Sequence, residues 1–185
     1  MNLDPKCLKF YRDTFGKPIL VGDAAPHFNL SHCGDWVAVG LSRETCIGVD
    51  VEADQSPDAW RECEALFLAE SEKRAGTPPP YLEVWTAKEA ALKAHGAGLS
   101  IVPNSIPISF KDNLFRVEIE GRTFSGRSVE LDERHVLSVA SLGELSIITV
   151  CRSGRAVAEI LECLQFGGGR KDIWAGASVG PHRSN

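Results

Sequence analysis

Asp50 and Glu52 stand two apart in the run Gly48-Val49-Asp50-Val51-Glu52, and Glu89 and Lys93 stand four apart in Trp85-Thr86-Ala87-Lys88-Glu89-Ala90-Ala91-Leu92-Lys93. The first run is apolar and β-branched. It reads as a strand that sends both carboxylates from one face and Val49 and Val51 from the other. The second reads as a helix, where a spacing of four puts an acid and a base on one stripe about one turn apart. Three carboxylates and an ammonium that converge are the inventory for holding a hard divalent cation on a phosphate ester and managing a proton beside it. That is the outline of a phosphoryl-transfer site. Taken singly, the first pair also fits the solvent side of an ordinary strand, and the second fits a surface ion pair worth a few tenths of a kcal/mol. Gly48 before the acids and a second acidic motif downstream give the combination its weight.

The segment His27-Phe28-Asn29-Leu30-Ser31-His32-Cys33-Gly34-Asp35-Trp36 reads as a loop entering a strand. Its Asn, Ser and His offer donors to an anion. His27 fits a surface position, and His32 on its own fits a hydrogen-bonded, partly buried histidine. A zinc set built on His27, His32 and Cys33 lacks a fourth ligand at a suitable spacing. Gly96-Ala97-Gly98 is a helix stop, and no Walker A pattern follows it. Net charge is −5 with pI near 5.6, and no strip of Lys and Arg with interleaved aromatics occurs. Nucleic acid is therefore a poor candidate substrate, although Lys17, His32, Lys88 and Lys93 could form a local basic pocket.

Positioning these groups calls for an α+β fold. Trp36 to Leu41 and Cys46 to Val51 read as two strands of a hairpin joined by Ser42-Arg43-Glu44-Thr45. Ser56-Pro57-Asp58 has the cap, proline and acid that open a helix, here one carrying Trp60, Leu66 and Phe67. Pro78-Pro79-Pro80 predicts a rigid loop leading into an amphipathic helix from Tyr81 to His95, with Leu82, Trp85 and Leu92 on its apolar stripe. Alternation from Ser105 to Val150 predicts an antiparallel meander, and Ala156 to Leu164 a closing helix. At 185 residues one domain is expected, spanning 1–166, with a disordered Gly/Ser-rich tail at 167–185. No run of about 18 apolar residues and no secretory layout are present, which favours a cytoplasmic protein that does not enter a membrane. Six scattered cysteines suggest reduced thiols rather than disulfides or a zinc site.

Taken in order, Gly16-Lys17-Pro18, Phe28-Asn29-Leu30-Ser31-His32, Ile47 to Glu52, Phe67-Leu68-Ala69-Glu70-Ser71-Glu72 and Trp85 to Leu99 resemble the Sfp-type 4'-phosphopantetheinyl transferases. The resemblance implies a pseudo-dimer of two α+β halves with coenzyme A in the cleft between them. It implies that Asp50, Glu52 and Glu89 bind magnesium, that Lys17, Ser31 and His32 contact coenzyme A phosphates, and that Lys93 lies beside the pyrophosphate. Glu89 is the candidate base and Lys93 the group facing the leaving phosphate, while Glu72 matches a further acidic position without an assigned role. The partner implied is an acyl or peptidyl carrier protein. Gly16-Lys17-Pro18 falls near the middle of full-length members. The expectation is thus that most of the first half is missing, with a remnant to about residue 45 and the second half after it. Either the start is misassigned or the chain is truncated. A full-length protein would be a monomer, whereas the truncated one would leave an apolar face open to self-association. A truncated, inactive homologue that binds coenzyme A or carrier protein is the alternative function. A metal-dependent phosphodiesterase is a third reading, disfavoured by the missing basic strip.

Overall fold

The computed structural model describes residues 8–22, 25–74 and 80–143; all of them fall in the first of the chain's two units, Met1–Leu145. The expected helix Ala156 to Leu164, the tail, Pro78, Pro79, Cys7, Cys151 and Cys163 lie outside the described residues.

Two short hairpins come first, β1 (Phe10–Arg12) with β2 (Pro18–Leu20), then β3 (His27–Cys33) with β4 (Trp36–Ser42). The second corrects the expected hairpin. β4 pairs with the segment before it, across the two-residue turn Gly34-Asp35, where Gly34 takes a φ of 55°. A two-residue loop with a positive φ matches the twist of an antiparallel pair, so the polar stretch read as a loop is a strand. Ser42 to Thr45 instead carries the chain from one sheet to another.

The next strand, β5 (Ile47–Ala53), is the edge of a five-stranded antiparallel sheet in the order β5-β9-β8-β7-β6. The last four are the expected meander: β6 (Ile108–Lys111), β7 (Leu114–Ile119), β8 (Arg122–Glu130) and β9 (His135–Leu142). Between β5 and β6 lie α1 (Pro57–Phe67), α2 (Glu70–Lys73) and α3 (Tyr81–His95). Ser56 caps α1 as its sequence requires, its Oγ accepting from the Ala59 N–H at 3.2 Å, and Gly96 ends α3 with a φ of 95°.

Helix α3 lies across one face of the sheet. Phe115, Val117, Ile119 and Phe124 project from β7 and β8 against Ala87, Ala90, Ala91 and Ala94. Burying a side chain such as Phe124 contributes about 1.5–3 kcal/mol. The alanines let helix and sheet approach closely, and the approach is tightest at Gly48, where a Cβ would overlap the Ala90 carbonyl and the Ala94 amide of α3. Gly48 thus serves packing beside the acids rather than a turn.

Amphipathicity is the second expectation the structure corrects. Helix α3 also buries Val84, Thr86 and Lys88, because a second cluster of Trp60, Phe67, Leu68 and Val84 packs against it. Lys88 is fully buried. Its ammonium donates to Glu72 Oε2 at 2.7 Å, the Phe67 carbonyl at 2.7 Å and the Pro103 carbonyl at 3.2 Å. Glu72 in turn accepts from the Ala69 and Ile108 amides at 2.6 and 2.8 Å. A buried charge pair with this many partners ties α1, α2, α3 and the start of β6 together. Lys88 therefore drops out of the basic pocket, and Glu72 acquires a structural role.

On one face of the β3–β4 hairpin Leu30, Val37 and Val39 are exposed, whereas Ile47, Val49 and Val51 of β5 are buried. No helix among the described residues is long and apolar enough to cross a membrane.

Candidate active site

Strand β5 runs between α3 and the β3–β4 hairpin, and this position assembles the site. Alternation sends Gly48, Asp50 and Glu52 toward α3; Gly48 marks where the backbones touch, and Asp50 follows at a depth that leaves it 2% exposed. Glu89 and Lys93 occupy the same stretch of α3, one turn apart. Lys93 Nζ meets Asp50 Oδ1 at 2.5 Å and donates to Ser31 Oγ at 3.3 Å.

Ser31 arrives from β3 by a repeating contact. As the edge strand, β5 has backbone amides with no neighbouring strand to receive them. Asn29 Oδ1 accepts from the Val49 N–H at 2.9 Å, and two residues on Ser31 Oγ accepts from the Val51 N–H at 3.2 Å. Side chains of β3 thus replace a strand's carbonyls, and the same Ser31 hydroxyl donates to Asp50 Oδ1 at 3.1 Å.

The electrostatics follow from this crowding. Burial pushes the Glu89 carboxyl up to about 7, with the Asp50 and Glu52 charges adding to the rise and Lys93 opposing it. Asp50 is also raised by burial, against the pull of Lys93 and Ser31. Glu52 is raised by burial and then by Asp50. Each carboxylate makes its neighbours harder to ionise, so the group titrates as a unit. Asp50 Oδ2 and Glu89 Oε1 are buried with no hydrogen-bond partner, a costly state for an ionised oxygen.

Of the residues singled out in the sequence, Asp50, Glu52, Glu89, Lys93 and Ser31 come together. Lys17 reaches the same turn of α3, but its Nζ donates to the Lys93 carbonyl at 2.7 Å; its pKa is lowered by burial. His32 does not join them. It follows Ser31 on β3 and takes the exposed side of the hairpin beside Val37, because adjacent strand residues face opposite ways. The sequence reading took Asn29 for an anion donor and Cys33 for a member of an incomplete zinc set, and missed that they line up with Ser31. Both share Ser31's face, and the two-residue spacing was the available signal once β3 is recognised as a strand. Burial raises the Cys33 thiol above its ordinary pKa, and the Glu52 charge adds to the rise.

Among the described residues no three Asp, Glu, His or Cys side chains already stand in a group able to enclose a metal ion. The donor chemistry nevertheless fits a hard divalent cation: two unpartnered buried carboxylate oxygens and a third carboxylate, Glu52, whose charge raises Glu89.

A sequence model described as the 4'-phosphopantetheinyl transferase superfamily matches residues 46–140. The chain belongs to this superfamily. The matched stretch includes Asp50, Glu52, Glu89 and Lys93, while Lys17, Ser31 and His32 precede it. Similar proteins include the 4'-phosphopantetheinyl transferase gsp of Aneurinibacillus migulanus, 31% identical over 111 residues, covering 57% of this chain and 45% of the relative. The 4'-phosphopantetheinyl transferase ffp of Bacillus subtilis is 30% identical over 140 residues, 72% and 57% of the two chains. The 4'-phosphopantetheinyl transferase psf-1 of Bacillus pumilus is 29% identical over 155 residues, 80% and 62%. The chain spans about half the length of the curated relatives it matches.

Proposed function

We propose that this chain carries the site for magnesium-dependent transfer of 4'-phosphopantetheine from coenzyme A to a serine of an acyl or peptidyl carrier protein, releasing adenosine 3',5'-bisphosphate. The observation that supports this reading best is the pair of unpartnered buried oxygens, Asp50 Oδ2 and Glu89 Oε1, with Lys93 and Ser31 beside them. In this reading the sheet and α3 form one half of a two-halved cleft, and the β3–β4 hairpin belongs to the other wall.

Asp50, Glu52 and Glu89 would hold the magnesium, which when bound supplies charge neutralisation on the pyrophosphate. Ser31 and Lys17 supply donors to the phosphates, and His32 contributes only if substrate reaches round the hairpin edge. Glu89, directly or through a water, takes the proton from the carrier serine. A carboxyl raised to about 7 by burial is suited to accept a proton near neutral pH. The serine oxygen bonds to the phosphorus bearing the pantetheine arm as the anhydride bond to the adenosine-bearing phosphate breaks. Lys93, a compact point charge, stabilises the negative charge that develops on the departing phosphate.

The test is mass spectrometry of a carrier protein incubated with the 185-residue chain, coenzyme A and magnesium. A gain of one phosphopantetheine arm, formed about two to three powers of ten more slowly with Lys93→Ala, is expected. No gain under any condition that permits coenzyme A binding would leave a binding protein, and the transfer reading would fall.

A further inference from the structure

We propose that Trp36 is a positioning residue for phosphate binding: its clasp on the β8–β9 turn holds the β3–β4 hairpin so that Ser31 stays on Asp50 and Lys93. The inference rests on the reading of Ser31 as a donor to coenzyme A phosphates and extends it to a residue outside the site.

The hairpin meets the sheet by one face. Along β4, Trp36, Ala38 and Gly40 turn inward while Val37 and Val39 are exposed, as a side-chain period of two requires. The register sets Asn29 opposite Gly40, Ser31 opposite Ala38 and Cys33 opposite Trp36, so all of these share the inward face. Gly40 lets Val49 of β5 approach so closely that a Cβ there would lie 2.6 Å from Val49 Cγ1. That contact seats the base of the hairpin, from which the chain runs on into β5. Toward the tip, Trp36 is the one large side chain that β4 sends inward. Its indole N–H donates to Asp132 Oδ2 at 3.1 Å, and its ring centroid lies 6.2 Å from that of His135. The receiving turn is braced in its own right. Asp132 Oδ1 accepts from the Arg134 and His135 amides, each at 2.9 Å, and lies 2.8 Å from His135 Nδ1. His135 pairs with Ala53, and the Asp54 N–H donates to the Arg134 carbonyl at 2.7 Å. Trp36 thus ties the hairpin tip to the end of β5 that carries Glu52.

Ser31 stands two residues back from Cys33, the partner of Trp36, or about 7 Å along the strand. Its own bonds are long: 3.1 Å to Asp50 Oδ1, 3.2 Å from the Val51 N–H and 3.3 Å from Lys93 Nζ. Bonds already at that length weaken steeply with a small outward swing. Releasing the tip would therefore carry the Ser31 hydroxyl away, while Asp50, Glu52, Glu89 and Lys93, held on β5 and α3, keep their places. The cost then falls on binding of the phosphates and not on the chemical step.

The experiment measures, for the whole chain in magnesium, coenzyme A affinity by calorimetry together with KM and kcat for transfer. The variants are Trp36→Phe, Asp132→Asn, both together, Ser31→Ala, and Ser31→Ala with Trp36→Phe. Trp36→Phe keeps a ring against His135 and loses the N–H; Asp132→Asn keeps an oxygen for the turn and presents an amide N–H2 to the indole. Each of these two single variants should weaken coenzyme A binding and raise its KM by about three- to tenfold, with kcat changed less than about twofold. The pair together should do no worse than the larger single effect, and Trp36→Phe should add nothing to Ser31→Ala. A lowered melting temperature with affinity and KM unchanged makes Trp36 a structural tie only and overturns the proposal. So does a full further loss on the Ser31→Ala background, or a fall in kcat with KM unchanged. If wild type binds coenzyme A and transfers nothing, the transfer reading falls and the affinities alone decide the role of Trp36. Wild type that binds no coenzyme A overturns both.

Discussion

Replacing Glu89 by Gln keeps the side chain's shape and removes its charge from a site where charge is unwelcome. The Glu89 carboxyl sits at about 7 against an ordinary 4.5. At about 1.4 kcal/mol per unit, that gap corresponds to about 3 kcal/mol lost from the folded state when Glu89 ionises; its partial exposure trims this to about 2–3 kcal/mol. The sign follows from proton counts. Between 4.5 and about 7 the folded protein holds more protons at this position than the unfolded chain, so its stability falls as pH rises through that window. Glu89→Gln has no such dependence. In chelator, urea denaturation should therefore show the two proteins nearly equal in stability at about pH 4 and the variant ahead by about 2–3 kcal/mol at about pH 8. Other titrating groups act on both proteins, and the difference isolates this one apart from its coupling to Asp50 and Glu52. A gap that does not change with pH, or one that opens in favour of wild type, would refute the account of Glu89 as a buried, repelled carboxyl.

Lys93→Met should slow transfer by about two to three powers of ten. Because Lys93 holds the Glu89 carboxyl down, the variant's wild-type-like stability loss should also move to higher pH, which denaturation at a series of pH values would reveal. Gly48→Ala forces a methyl group into the α3 backbone at Ala90 and Ala94 and should cost about 1–3 kcal/mol in a thermal melt; an unchanged melting temperature would mean that strand and helix are not in that contact. Glu72→Ala strands the buried Lys88 ammonium and two backbone amides. A loss of about 3–5 kcal/mol is expected by denaturant titration, whereas a purely catalytic Glu72 would leave stability alone.

Local patterns carried much of the fold. The cap at Ser56, the helix over Tyr81 to His95, the positive-φ glycines after it and the meander of alternating strands all arise from interactions within a few residues of each other. The β3 strand was misread because its alternating residues include polar ones, which resemble a loop when their partners are unknown. Those partners are the edge amides of β5, about 20 positions along the chain. Likewise Lys88 looked like a surface cation on an amphipathic stripe, and only the packing of α1 and α2 on the far side of α3 buries it against Glu72.

For the site, the amino-acid order by itself determined the pairs: Asp50 with Glu52 on one strand face, Glu89 with Lys93 on one helix stripe. These follow from the two backbone periods, which act over two and four residues. Which pairs meet, and in what state, was decided by tertiary structure. The glycine contact at Gly48 brings β5 against α3 and thereby joins the two motifs. Burial raises the three carboxyls, and the docking of β3 on the edge of β5 turns Ser31 to the site while His32, one residue on, faces away. Proximity across the fold and removal of water depend on every packed element at once, and no short window of residues encodes them.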